Sequence, residues 1–335
     1  MSAPTKEEAA AILQKFLPLN ARLRAITAPQ PLLLAHYTSV QVIEQILTHN
    51  EIWLSNPLYM NDLEEMRSGI ILGAQLFPAF AQAAAGNDAN RTRILVETFN
   101  HYLAYLQNEN AIDTYIFCLC IHDHKDTDGL LSMWREYGSK GNGAALVFDA
   151  QRVNFNLQSP LLISEVTYAD AKEREAQLRA HLDAWVQLTL HLNLPDGHLY
   201  LAAWAVFLFV KLLALTTKHR GFAEEHEVRV IYIPEQDPRG YLTSSRSYHI
   251  GPRGVEPKLK YKFGVSLRTT DSVEPVEERT AGSLVDLIAF IILGPTASSP
   301  LAKASFARML RGIHMEVLED RVYPSTIPLR PTFQI

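Results

Sequence analysis

The chain has 335 residues, of which 47% are hydrophobic, and its 31 basic and 36 acidic side chains leave a formal charge of -5. This is enough to fill a sizeable core, and the acidic balance without a long basic run argues against general nucleic-acid binding. The two cysteines, Cys118 and Cys120, are badly placed for a disulfide and fit a reducing cytoplasm, and the N-terminus lacks the basic-then-apolar run of a signal peptide.

Taken in chain order, Thr5 and Glu8 predict a capping box on a helix ending near Pro18. A strand over Leu32 to His36 follows, then a helix capped by Ser39 with Val42, Ile43, Ile46 and Leu47 on its apolar side, and a strand over Glu51 to Ser55. Asp62 and Glu65 signal a second capping box, whose helix is expected to bend or end near Pro78, with a further helix from about Asn90 to Leu106. Thr114 to Ile121 reads as a strand. The polar loop His122 to Asp128 is expected to act as a mobile lid beside a short helix carrying Trp134 and Tyr137. Ala144 to Phe148 is the next strand.

Residues 169–217 are expected to be helical, broken at Pro195-Asp196-Gly197, with Leu178, Leu182, Trp185 and Thr189 on one face. Leu199 to Leu215 approaches membrane-span length, but Lys211 lies inside it, and a buried central helix is the expected reading rather than a membrane segment. The last third returns to strands at His226 to Ile233, Tyr248 to Ile250, Leu259 to Phe263 and Ala289 to Leu293. It closes with a helix capped by Ser299, opened by Pro300 and ended by Gly312.

Strands scattered between helices of uneven length predict an α+β fold with a mixed, mostly antiparallel sheet, flanking helices and a helical insertion. The expected organisation is one domain over 1–335: an N-terminal helix in 1–30, a strand-rich core from 31–168 and 218–331, and the insertion over 169–217.

Four clusters stand where strands end or loops begin: His36-Tyr37-Thr38; Trp53-Leu54-Ser55-Asn56-Pro57 with Asn61-Asp62; Met133-Trp134-Arg135-Glu136-Tyr137-Gly138; and Glu224-Glu225-His226-Glu227-Val228-Arg229. In their order and spacing, with Ile291 to Pro295 and Ser325, Pro328 and Arg330, they resemble a bacterial family known as domain of unknown function 2971, from about residue 33 to 331. The layout also resembles ADP-ribosyltransferases, in which a residue on a first strand holds the NAD ribose, an aromatic ring stacks on nicotinamide, and the second Glu of a Glu-x-Glu pair polarises the ribose. That resemblance implies NAD as substrate and assigns His36, Ser55 and Glu227 to these positions, with Tyr37, Trp53 or Tyr59 as stacking candidates. It also leaves Glu225 competing with Glu227.

Opening the nicotinamide bond develops positive charge on the ribose, so a fixed carboxylate stabilises the transition state more than the ground state. General acid–base assistance of this kind contributes about 100- to 10,000-fold. Strand alternation over 225–233 would place Glu225, Glu227 and Arg229 on one face with Ile231 and Ile233. The expected site therefore has Glu227, His36 and Glu225 as catalytic residues, and Tyr37, Trp53, Ser55, Tyr59, Asn61, Trp134, Tyr137 and Arg229 as ligand-binding ones. Each has a plainer reading: His36 as a core histidine bonded to backbone, Asp62 as a helix cap, Trp53 and Trp134 as core aromatics, and Glu227 with Arg229 as a structural ion pair.

Cys118, Cys120, His122 and His124 do not match a chelate spacing, so no metal is expected. The function expected is an NAD-using transferase or hydrolase of the bacterial cytoplasm, as in a toxin or phage-defence component. The alternatives are a non-catalytic nucleotide- or partner-binding sensor module and, disfavoured by the acidic balance, a nuclease. Oligomeric state and acceptor stay open.

Overall fold

The computed structural model describes residues 5–16, 32–60, 63–108, 113–152, 160–237, 239–251, 254–267, 278–279 and 282–329. The chain gathers into two compact units, one from Met1–Ala25, Asn56–Thr114 and Ser164–Ala223, the other from Ile26–Ser55, Tyr115–Ile163 and Glu224–Ile335. The helical unit is thus larger than the expected insertion over 169–217, because it also draws in 56–114 and the N-terminal helix.

The first unit contains α1 (Lys6–Phe16), α3 (Leu63–Ala84), α4 (Ala89–Asn108), α6 (Ala171–Leu192) and α7 (Leu199–Thr216), with a two-stranded ladder of β6 (Thr167–Tyr168) and β7 (Thr217–Lys218). Thr5 and Glu8 exchange the two hydrogen bonds of the expected capping box. On α6, Leu178, Leu182, Trp185 and Thr189 are all buried as their spacing required, and the Trp185 indole N–H donates to the Ala202 carbonyl of α7. The stretch Asp196–Thr216 is long and apolar enough to cross a membrane, yet 78% of its apolar window is buried. It is apolar all round because helices pack on several sides of it.

The helix expected to bend or end near Pro78 instead runs to Ala84. Pro78 lies on the exposed side, where the carbonyl its ring displaces can be hydrated, while Phe77, Ala81 and Ala84 are buried and hold the helix in place. Asp62 and the Glu65 side chain, the other expected capping box, lie outside the described residues.

The second unit is built on a mixed, mostly antiparallel sheet, so the fold is α+β. Its members are β1 (Leu33–Ser39), β2 (Glu51–Ser55), β3 (Tyr115–His122), β4 (Gly143–Asp149), β5 (Leu161–Glu165), β8 (Glu227–Tyr232), β9 (Arg246–Gly251), β10 (Gly254–Lys262), β13 (Ile288–Leu293) and β14 (Val322–Pro324). The order is β14-β13-β4-β1-β3-β2-β10-β9, with β8 on β3 and β5 on β8; β13 and β14 pair in parallel. A separate small ladder joins β11 (Ser266–Leu267) to β12 (Glu278–Arg279). The helices are α2 (Val40–His49), α5 (Leu131–Glu136), α8 (Leu284–Leu287) and α9 (Pro300–Gly312). Ser39 and Ser299 cap α2 and α9 as expected, accepting from Val42 and Ala302.

Pairing in the sheet decides what its two faces carry, because residues directly opposite one another share a face. Leu34, Leu54, Leu119, Leu146, Val228, Leu259 and Ile291 share one face and form the main core with Ile43, Ile46 and Leu47 of α2 and Phe306 and Leu310 of α9. The reverse, polar face carries Glu227, Arg229, Lys258 and Lys260, beside a smaller apolar cluster in which Leu33, Ala35, Tyr37, Cys120, Ala145, Val147 and Ile292 pack with Met133 and Trp134. Gly143 allows β1 and β4 to close: a Cβ there would meet the Thr38 carbonyl at 2.1 Å.

Candidate functional site

Cys120 pairs with Ala35 of β1 on one side and Glu227 of β8 on the other, while Ile116 pairs with Ser55 of β2 and Ile231 of β8. β1 and β2 therefore lie along the same edge of β3, β1 at one end and β2 at the other, and they part near Cys118. His36 sits at this parting. Its Nδ1 donates to the Cys118 carbonyl at 3.0 Å and its ring stacks on Phe117 with centroids 4.4 Å apart.

His36 lies two residues after Leu34 and pairs with Leu146, so its side chain belongs to the apolar face. Glu227, opposite Cys120, belongs to the other. The expected convergence of an orienting imidazole and a charge-stabilising carboxylate is therefore not formed by these two residues. Desolvation lowers the His36 pKa, partly offset by its bond to the Cys118 carbonyl. The folded state thus favours the neutral ring. As pH falls through the ordinary imidazole value of about 6.5, the unfolded chain gains its proton first and stability drops until the depressed folded value is passed. The urea midpoint is expected to fall between pH 7.5 and 5.5, and His36→Gln to flatten that fall.

The polar face collects most of the other candidates. Tyr37, Trp53, Ser55, Glu227 and Arg229 all lie on it by register, and Trp134 of α5 packs edge-on against Tyr37 at 4.8 Å. Glu227 and Arg229 meet through Nε to Oε1 at 2.7 Å and Nη2 to Oε2 at 3.1 Å, with side chains only 6% and 2% exposed. This is the plainer reading of the pair. Both carboxylate oxygens of Glu227 are engaged by the buried Arg229 guanidinium.

Glu225 does not continue the strand. It ends a 3-10 turn, and His226 at φ +43° separates it from β8, so the expected alternation starts only at Glu227. Glu225 is partly exposed and accepts from the Tyr137 hydroxyl at 3.0 Å. Burial and the nearby carboxylates of Glu225, Asp126 and Glu227 push the Cys120 thiol up to about 12, so it is a protonated, inert hydrophobe. Burial likewise raises the Tyr37 phenol, against the hydrogen bond it receives from Leu130 N–H. Among the described residues, no group of three or more His, Cys, Asp or Glu is placed to hold a metal ion.

The loop expected to be a mobile lid is laced to its surroundings. His122 bonds the Asp126 carbonyl, Asp126 accepts from Asp128 and Gly129 N–H, and the Asp128 carboxylate accepts from Thr326. Tyr59 is exposed on a 3-10 turn of the first unit, and Asn61 lies outside the described residues.

Sequence reasoning missed the residues that surround Trp53. Lys260 stands opposite it on β10 with Nζ 4.2 Å from the ring centroid, His249 of β9 lies 5.6 Å away, and the indole N–H donates to Glu51 at 2.7 Å. Beside them, Lys258 Nζ donates to Ser55 Oγ at 2.9 Å and pairs with Glu256 at 3.1 Å. The legible signal was the alternation Lys258-Leu259-Lys260-Tyr261-Lys262, which puts three lysines on one face of a strand.

Residues 133–230 match the model of a family described as a protein of unknown function (DUF2971). That stretch spans the Met133 to Gly138 and Glu224 to Arg229 clusters and is shorter than the expected 33–331. No curated protein and no solved structure matches the chain.

Proposed function

We propose that the polar sheet face of the second unit recognises a nucleotide or dinucleotide, and that the chain works as a non-catalytic sensor module. One observation carries this reading: the register brings the ligand-binding candidates Trp53 and Ser55 together with Lys258 and Lys260, while His36 lies on the apolar face. An indole beside lysines suits a planar base and an anionic tail. The catalytic pair suits the transferase poorly, since a reacting sugar must touch both groups within a near-attack geometry.

The test is a thermal-shift and calorimetric titration with NAD, ATP and ADP, alongside a nicotinamide-release assay. Binding without release is expected; at a hundredfold excess over Kd a ligand adds about 2.7 kcal/mol of stability. Absence of binding by every nucleotide would sink the module reading.

A second reading has its own observation. Glu225, the other carboxylate of the Glu-x-Glu pair, is partly exposed and accepts from the Tyr137 hydroxyl, and ADP-ribosyl transfer would use it. If nicotinamide is released, Glu225→Gln is expected to abolish it with the unfolding midpoint unchanged. Release that survives this change would remove Glu225 from the reaction.

A further inference from the structure

We propose that the ligand carries a phosphate group held by Lys258 and Lys260, with its base against Trp53, so that the surface distinguishes a nucleotide from the corresponding nucleoside. This rests on the nucleotide-recognition reading and adds the chemical group that gives selectivity. Sheet pairing assembles the elements: Trp53 and Ser55 on β2 face Lys260 and Lys258 on β10 in direct cross-strand register, and His249 on β9 flanks the indole.

The lysines are arranged differently. Lys258 is 12% exposed and spans Ser55 Oγ and the buried Glu256 carboxylate, which fixes its ammonium beside the Ser55 hydroxyl. Lys260 lays its ammonium over the indole. A phosphate oxygen between the two ammonium groups would accept from both, and the Ser55 hydroxyl would be free to turn and donate. A planar base would then take the place of Lys260 on the indole as the ammonium swings to the phosphate, exchanging one cation–π contact for a stack and a charge-assisted hydrogen bond. Glu51 bonds the indole N–H at the ring edge, so it fixes the ring without covering the face that Lys260 occupies. Glu256 and Glu51 offset part of the lysine charge, which favours a small anion held by directed hydrogen bonds over a long polyanion held by bulk charge.

The experiment compares ADP, adenosine and pyrophosphate by calorimetry on the full chain and on Lys260→Gln, Lys258→Gln and Trp53→Leu. ADP is expected to bind at least about tenfold more tightly than adenosine, equivalent to about 1.4 kcal/mol. It should also bind more tightly than pyrophosphate, and added salt should weaken ADP but not adenosine. Lys260→Gln should erase most of the ADP advantage without weakening adenosine, whose base no longer has to displace the ammonium from the indole, whereas Trp53→Leu should weaken both. Lys258→Gln removes one arm of the pair with the buried Glu256; Lys260→Gln, which leaves that pair intact, keeps the test decisive if the first variant fails to fold.

ADP and adenosine binding equally, or Lys260→Gln binding ADP as the wild type does, would overturn the phosphate assignment while leaving nucleotide recognition standing. Pyrophosphate binding as well as ADP would overturn the role of Trp53. Failure of all three probes together with NAD and ATP would overturn both readings.

Discussion

Arg229→Met is expected to lower the stability of the chain by about 3–5 kcal/mol, read as a shift of the urea midpoint at unchanged slope. The guanidinium is 2% exposed and meets Glu227 through two short bonds, and removing one member of a buried pair leaves the other charged and desolvated. Glu227→Gln should also be costly, by less, because the amide keeps one acceptor for Arg229. Replacing both residues with methionine is expected to recover at least half of the loss, since the uncompensated charge is then gone. A double variant no more stable than Arg229→Met would show that the pair's other contacts, rather than the charge, hold this part of the sheet.

Trp134→Ala is the second large effect, again about 3–5 kcal/mol, the usual cost of emptying a large aromatic site. The ring is fully buried, stands edge-on to Tyr37, and donates from its indole to the Asp128 carbonyl at 2.8 Å. The chain is moulded around it: Gly129 at φ +75° would bring a Cβ to 2.8 Å from the Tyr37 hydroxyl, and a Cβ at Gly138 would meet the indole Cε3 at 2.5 Å. Losing the ring also unties the Asp128 carbonyl and loosens Tyr37, the acceptor of Leu130 N–H. Amide exchange over 128–130 should therefore accelerate, beyond what the global loss accounts for. Trp134→Phe should be milder, and unchanged local exchange in Trp134→Ala would show that the Asp126 turn holds the loop alone.

The way these two sites were readable in sequence differs. Alternation within a strand is a property of a few adjacent residues, so Glu227, Arg229 and Ile231 fall on one side, and Cys118 with Cys120, as their spacing required. Helix caps at Thr5, Ser39 and Ser299 are equally local. Which side of one strand faces which side of another is set by register: run 227–232 has a polar side in Glu227 and Arg229, but run 33–37 has no matching polar side that would announce how the two align. His36 and Glu227 thus looked like partners and lie on opposite faces. Glu225 misled for a backbone reason, the positive φ at His226. The short strands β5 and β14 were missed because a few residues, with Pro324 in an edge position, carry no usable periodicity. The Trp53 surroundings were assembled by pairing β2 with β10, strands two hundred residues apart in the chain.

The central place of β3 in the sheet also bears on how the chain is made. One side of that strand is completed by β8, which begins at Glu227, over a hundred residues after β3 ends at His122. At synthesis rates of about 5–20 residues per second, β3 waits roughly 5–20 s for that partner, with the row of backbone groups along that edge unpaired. β13, which closes the other flank of β4, emerges later still. The first half of the sheet is therefore a nascent edge that a ribosome-associated holdase would be well placed to shield until the last third of the polypeptide arrives.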